Sequence, residues 1–213
     1  QRPRGFVYSG DKELINKVVD GFPYEETQDQ TKAIKDVFND LRNNKPMDRL
    51  VYGDVGFGKT EVAIRAAILA ISSGRVVFFL APTTVLSDQH YINCVNRLSP
   101  AGVNVELLSR FKNPTQQKEI LKKYESGEID LLVGTHRLLS SDVKTDRLGL
   151  LIVDEEHRFG VKHKEAIRRI KARVDVLTLT ATPIPRTLQQ SLVGIRDTSK
   201  IETHPQERQP IKT

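Results

Sequence analysis

A single cysteine, Cys94, stands in 213 residues, which rules out an intrachain disulfide and a cysteine-built zinc cluster. Cysteine usage this low fits a reducing cytoplasm, the expected location. No apolar run approaches the roughly 18 residues a membrane-spanning helix needs, so no membrane partner is expected. The opening Gln1-Arg2-Pro3-Arg4-Gly5 is polar and lacks the apolar centre of a signal peptide. Low-complexity tracts and internal repeats are missing. So is an initiator methionine, and the chain stops abruptly at Pro210-Ile211-Lys212-Thr213, as a piece of a longer protein would. Neither sign of charge dominates: Lys plus Arg is 33 and Asp plus Glu is 27, for a net charge of +6. A moderately basic balance is compatible with nucleic acid without requiring it. What is present is a hydrophobic fraction of 38%, enough for a packed core. The length fits one large α/β domain or two small ones.

The stretch Gly53-Asp54-Val55-Gly56-Phe57-Gly58-Lys59-Thr60 reads G-x-x-x-x-G-K-T. In a phosphate-binding loop, glycines let successive backbone N–H groups turn onto phosphate oxygens. Lys59 then reaches the β- and γ-phosphates, and the Thr60 hydroxyl ligates Mg²⁺. The bland alternative is a glycine-rich turn with a solvated lysine. Context decides against it: the apolar Leu50-Val51-Tyr52 precedes the loop, and Val62, Ala63, Ala66, Ala67, Leu69 and Ala70 follow. Strand, loop, helix is the order the chemistry requires, with the positive end of the helix aimed at the anion.

Strands and helices alternate along the rest of the chain. Apolar runs predict strands over Arg49–Tyr52, Val76–Ala81, Val103–Leu108, Asp130–Val133, Leu150–Val153 and Val176–Leu179. Helical spacing predicts helices over Lys59–Ile71, Thr84–Leu98, Thr115–Tyr124 and Lys162–Ile170. A further helix follows Thr27, where Thr27-Gln28-Asp29-Gln30 has the form of a capping box. Residues 1–21 read as a linker or appendage with a short helix over Asp11–Val19, and the domain proper begins at residue 22. The alternation implies an α/β fold, a parallel doubly wound sheet flanked by helices, with ligands at the carboxyl ends of the strands.

Further constellations stand at strand ends. Leu150-Leu151-Ile152-Val153 runs directly into Asp154-Glu155-Glu156-His157. Carboxylates at the end of a buried strand need a cation or donors. Downstream of a phosphate loop, Asp154 is expected to hold Mg²⁺ opposite Thr60, and Glu155 to orient and deprotonate a water. Alone, the same residues would read as an acidic helix start. Thr180-Ala181-Thr182-Pro183 offers hydroxyls to sense a γ-phosphate, or simple turn chemistry. Ala81-Pro82-Thr83-Thr84 suits a nucleic-acid phosphate, or a helix N-cap, and one threonine can do both. Gly134-Thr135-His136-Arg137 also offers N–H groups, a hydroxyl and a cation. A solvated Arg137 and a structural His136 are the defaults there.

The order G-K-T, A-P-T-T, G-T-H, D-E-E-H, T-A-T-P resembles superfamily 2 helicases and translocases. The longer matches are Met47–Val51 leading into Gly53–Ala63, Asp154–Val161, and Thr178–Thr187. Together they are similar to the bacterial transcription-repair coupling factor (Mfd) family, with the branch-migrating RecG helicases next. RecG helicases typically have Ser where Phe57 sits and Gln where Glu156 sits, so the chain sides with the coupling factors. The resemblance covers about residues 22–213.

It implies the first of two RecA-like domains of a double-stranded DNA translocase, which uses ATP and Mg²⁺ to push on stalled RNA polymerase. RNA polymerase and repair proteins would bind elsewhere in the full-length protein. By resemblance, Gln30 reads adenine with Phe22 stacking nearby, and Gly53–Glu61 hold the nucleotide. His157, Thr180 and Thr182 couple hydrolysis to movement. Pro82, Thr83, Thr84, Thr135 and His136 touch the DNA backbone without reading its sequence, and Arg110 joins them. No stretch resembles the second domain, where the family's arginine finger resides. These 213 residues alone are therefore expected to bind nucleotide weakly and hydrolyse it poorly. A RecG-like activity on branched DNA, or a regulatory ATP-binding module that docks a protein, are the alternative readings.

Overall fold

A computed structural model describes residues 7–53, 58–181, 185, 187–188 and 196–202. Seven parallel strands form one sheet in the order β3-β4-β2-β5-β6-β1-β7. They are β1 (Asp48–Gly53), β2 (Val76–Leu80), β3 (Val105–Leu108), β4 (Leu131–Gly134), β5 (Leu148–Asp154), β6 (Asp175–Thr180) and β7 (Asp197–Ile201). The helices are α1 (Lys12–Asp20), α2 (Gln28–Leu41), α3 (Gly58–Ser72), α4 (Thr84–Leu98), α5 (Pro114–Glu125) and α6 (Val161–Lys171). The expected doubly wound architecture is what forms. β3 begins at Val105 rather than Val103, and β7 was not expected. Its sequence, Asp-Thr-Ser-Lys-Ile, buries only Ser199 and Ile201, as an edge strand can.

Side chains alternate across the sheet because the strand period is two. Val51, Val77, Phe79, Val133, Ile152 and Leu177 enter one core with α1, α2, α3 and α4. Phe78, Leu80, Leu132, Leu151, Val153 and Val176 enter the other with α5 and α6. β2, β4, β5 and β6 are therefore buried along their whole length, which explains why they are mostly apolar, with Thr178 interrupting the run in β6. Among the described residues no helix is long and apolar enough to cross a membrane. Cys94 is wholly buried, and burial pushes its thiol up to about 12.

Both predicted helix starts with polar side chains are satisfied as written in the sequence. Thr27 and Gln30 exchange capping-box bonds. Thr83 accepts from the Leu86 N–H and caps α4. Residues 7–21 carry the expected short helix, capped by Asp11. They are also tied into the domain. Ile15 and Val18 lie in the core beside α3, and the fully buried Tyr8 donates to the Gly149 carbonyl at 2.7 Å.

Sheet order sets the geography of the site. β5, β6 and β1 are neighbours, so the segments after them meet at one end of the sheet. β3, β4 and β2 bring a second group of strand ends together beside the first. Tyr8→Phe should destabilise the protein by about 1–3 kcal/mol, because the Gly149 carbonyl loses its buried partner. The urea midpoint measures this, and an unchanged midpoint would show that the Tyr8–Gly149 bond contributes nothing to stability.

Candidate nucleotide and nucleic-acid site

The loop after β1 delivers Lys59 and Thr60 at the first turn of α3. Lys59 is buried, and its ammonium donates to the Gly53 carbonyl at 3.1 Å. Asp54, Val55, Gly56 and Phe57 lie outside the described residues. Gly53 has a reason of its own to be glycine. A Cβ there would stand 1.9 Å from the Ile201 carbonyl oxygen of β7, and its φ of 156° is one that side chains disfavour. The first glycine of the motif thus admits the edge strand, independently of any phosphate.

Lys59, Thr60, His90, Asp154, Glu155 and Ala181 line a cleft of about 310 Å³. Asp154 ends β5, 9% exposed. Its Oδ2 lies 2.7 Å from His90 Nε2. A carboxylate only accepts, so the bond places the ring proton on Nε2. The His90 ring stacks on Phe79 of β2, centroids 4.3 Å apart. Sequence reading missed His90. It sits in mid-helix, 64 residues from its partner, and nothing local in the sequence marks it.

Glu155 takes the left-handed conformation, φ 49°, which no other described non-glycine residue adopts. Such a conformation costs on the order of 1–3 kcal/mol and persists only where surroundings enforce it. Here the β6 end does so. Glu155 N–H donates to Leu179 O at 2.9 Å, the Thr180 hydroxyl to Oε2 at 3.0 Å, and Ala181 N–H to Oε1 at 2.8 Å. His157, half exposed, places Nδ1 3.5 Å from Oε2. Glu156 turns away and pairs with Lys171 and Arg196. Thr182 lies outside the described residues.

The donor set fits a hard cation. Thr60 offers a hydroxyl and Asp154 a carboxylate in one cleft beside Lys59. Among the described residues no group of three or more His, Cys, Asp or Glu side chains forms a metal cage. A hydroxyl and a carboxylate are oxygen donors of the kind Mg²⁺ takes beside waters and substrate phosphates.

Gln30 spends Oε1 on its capping box, while Nε2 reaches Gly58 O at the start of α3, 3.5 Å away. Phe22 is 9% exposed, and the guanidinium groups of Arg65 and Arg97 both lie over its ring, at 5.7 and 5.5 Å. Glu61, expected beside the nucleotide, gives both carboxylate oxygens to Arg97, and Oε2 also pairs with Arg65. Arg65 also binds Glu26. This buried charge network went unread in the sequence. The Glu61/Arg65 spacing of four within an apolar helix was its one visible trace.

The ends of β2, β3 and β4 gather the other expected residues. Pro82, Thr83 and Thr84 form the half-buried entry to α4. Thr135 is buried beneath His136, whose ring stacks on His163 of α6 at 4.5 Å. Burial, the Arg110 charge and His163 push the His136 imidazole below its ordinary value. Arg110 is exposed and close enough to exert that effect, and Phe111 beside it is 84% exposed. Arg137 is neither solvated nor poised for phosphate: Asp142 holds it bidentately at 2.7 and 2.8 Å, and Gln117 at 2.9 Å.

Residues 27–191 match the family model described as DEAD/DEAH box helicase. The chain belongs to this helicase family. It is 52% identical over 210 residues to the transcription-repair-coupling factor of Bacillus subtilis and 54% identical over 210 residues to that of Haemophilus influenzae. Each match takes in 99% of this chain but 18% of the relative, so the chain spans about a fifth of their length. Among solved structures, RecG bound to a three-way DNA junction is similar at 35% identity and a TM-score of 0.81, covering 94% of this chain and 27% of that one. A helicase domain with this sheet is a RecA-like nucleotide-binding domain.

Gly53→Ala should destabilise the nucleotide-free protein by about 3 kcal/mol or more, since β7 must give way. A thermal melt equal to that of the parent would show that the glycine serves phosphate alone.

Proposed function

We propose that the chain is the ATP-binding half of a double-stranded DNA translocase that displaces stalled RNA polymerase and recruits repair. The identity of 52–54% to coupling factors along nearly the whole chain carries this reading. The cleft geometry supports the chemistry. Lys59 binds the β- and γ-phosphates, and Gln30, bonded to Gly58 at the start of α3, reads the adenine. Thr60 and Asp154 hold Mg²⁺, which when bound screens phosphate charge and aligns the γ-phosphate. Glu155 orients the attacking water and takes its proton. Thr180 and Ala181, bonded to that carboxylate, pass its state to the segment after β6. Phe22 has little surface to offer adenine while Arg65 and Arg97 cover it, so stacking there requires the pair to part.

Pro82, Thr83, Thr84, Arg110, Thr135 and His136 share the neighbouring half of the sheet edge and contact the DNA backbone. Such contacts are sequence-independent and weaken steeply with salt. RNA polymerase and repair proteins are engaged through other parts of the full-length protein. The likeness to RecG favours a second reading, remodelling of branched DNA.

In the full-length protein, Glu155→Gln should retain ATP binding while hydrolysis falls by about 10²-fold or more. The parent should displace a stalled polymerase without regressing a model fork. The reverse preference would move the assignment to the RecG-like reading. ATP hydrolysis by the 213 residues alone should stay at least about 10³-fold below the DNA-stimulated full-length rate, as a motor whose arginine finger lies on a second domain requires. A fragment that turns over as fast as the full-length protein, and stops on Lys59→Ala, would contradict this.

A further inference from the structure

We propose that His90 is a positioning residue that holds Asp154 in its cation-binding orientation and joins the Mg²⁺ site to the DNA-facing start of α4. The inference rests on reading the cleft as an Mg²⁺·ATP site, and its second half on reading Thr83 and Thr84 as DNA contacts.

Asp154 has two oxygens. Oδ2 is committed to His90 Nε2 at 2.7 Å, which leaves Oδ1 for a cation or its waters. The hydrogen bond fixes the carboxylate plane, and the stack on Phe79 fixes the imidazole in turn. Phe79 is fully buried in β2, beside the strand that ends in Asp154. Carboxylate, imidazole and aromatic ring thus form a rigid chain from the cleft into the core. An ordinary structural histidine would satisfy a carboxylate remote from any chemistry. His90 instead lines the same cleft as Lys59 and Thr60.

The helix that carries His90 gives the bond its second consequence. α4 begins at Thr84, with Thr83 as its N-cap, and His90 follows less than two turns later. At 1.5 Å per residue the separation along the axis is roughly 9 Å. A short rigid helix transmits a shift of its first turn to His90, and so to Asp154. DNA pressed on Thr83 and Thr84 would thereby adjust the cation site, and the cation would bias the helix.

Three variants of the full-length protein separate this role from simple packing. His90→Phe keeps a ring against Phe79 and removes the donor. His90→Gln keeps an N–H near the Nε2 position. His90→Ala removes both. Binding of a fluorescent ATP analogue, titrated with Mg²⁺ in the absence of DNA, reads the site without turnover. The Mg²⁺ concentration for half-saturation should rise about 10-fold in the Phe and Ala variants, as loss of a ligand's orienting partner predicts. The Gln variant should stay within about threefold of the parent. Stimulation of ATP hydrolysis by DNA should fall in the same order. Equal Mg²⁺ requirements in the Phe variant and the parent, or equal losses in Phe and Gln, would overturn the positioning role. An unchanged DNA stimulation beside a raised Mg²⁺ requirement would overturn the link through α4. If the parent itself binds nucleotide without regard to Mg²⁺, the reading of the cleft fails first, and separately.

Discussion

Two adjacent carboxylates stand where a fully buried strand reaches the surface, and the site depends on how they are satisfied. Burying a carboxylate without partners is prohibitive, so each must be met by a donor from elsewhere in the fold. Asp154 is met by His90 of α4, and Glu155 by the Thr180 hydroxyl and Ala181 N–H after β6. The donors come from the two strands that flank β5, by way of α4 after β2 and the turn after β6. Neither carboxylate can therefore change its state without disturbing one of these segments. In the proposed translocase, this arrangement would join hydrolysis to movement. The left-handed backbone of Glu155 is the local cost of aiming its side chain at β6 rather than at solvent.

Sheet order divides the carboxyl edge into two territories. The neighbours β5, β6 and β1 end in Asp154 and Glu155, Thr180, and the phosphate loop. The neighbours β3, β4 and β2 end near Arg110, Thr135 and His136, and Pro82 to Thr84. α4 starts in the second territory and carries His90 into the first. The division follows from parallel pairing with right-handed crossovers, and each territory draws on residues far apart in the chain.

What the sequence made legible is what short-range physics controls. The near-continuous apolar runs of β2, β4 and β5 announced strands buried on both faces, and the Thr27/Gln30 capping box marked the start of α2 to the residue. The Gly53–Thr60 motif and the Asp154-Glu155 strand end stood out through fixed residue types at fixed spacing, and the structure brings Lys59, Thr60, Asp154 and Glu155 to one cleft. β7 was not, since an edge strand of Asp-Thr-Ser-Lys-Ile has almost no apolar periodicity. Tertiary partners were beyond reach for the same reason: His90 with Asp154, Arg97 with Glu61, Tyr8 with Gly149, each separated by 36 to 141 residues. Arg137 shows the converse. Its default as a solvated side chain failed because Asp142, only five residues on, closes a bidentate pair across the turn.

The central claim is that nucleotide chemistry at Asp154 and Glu155 is wired to α4 and to the segment after β6. Amide hydrogen exchange of the full-length protein, with and without an Mg²⁺-bound non-hydrolysable ATP analogue, tests it most directly. Altered exchange is expected in the first turns of α4 through His90, and faster exchange at Ala181, whose N–H is released when Glu155 turns to the attacking water. Changes confined to Gly53–Thr60 and the start of α3 would contradict it.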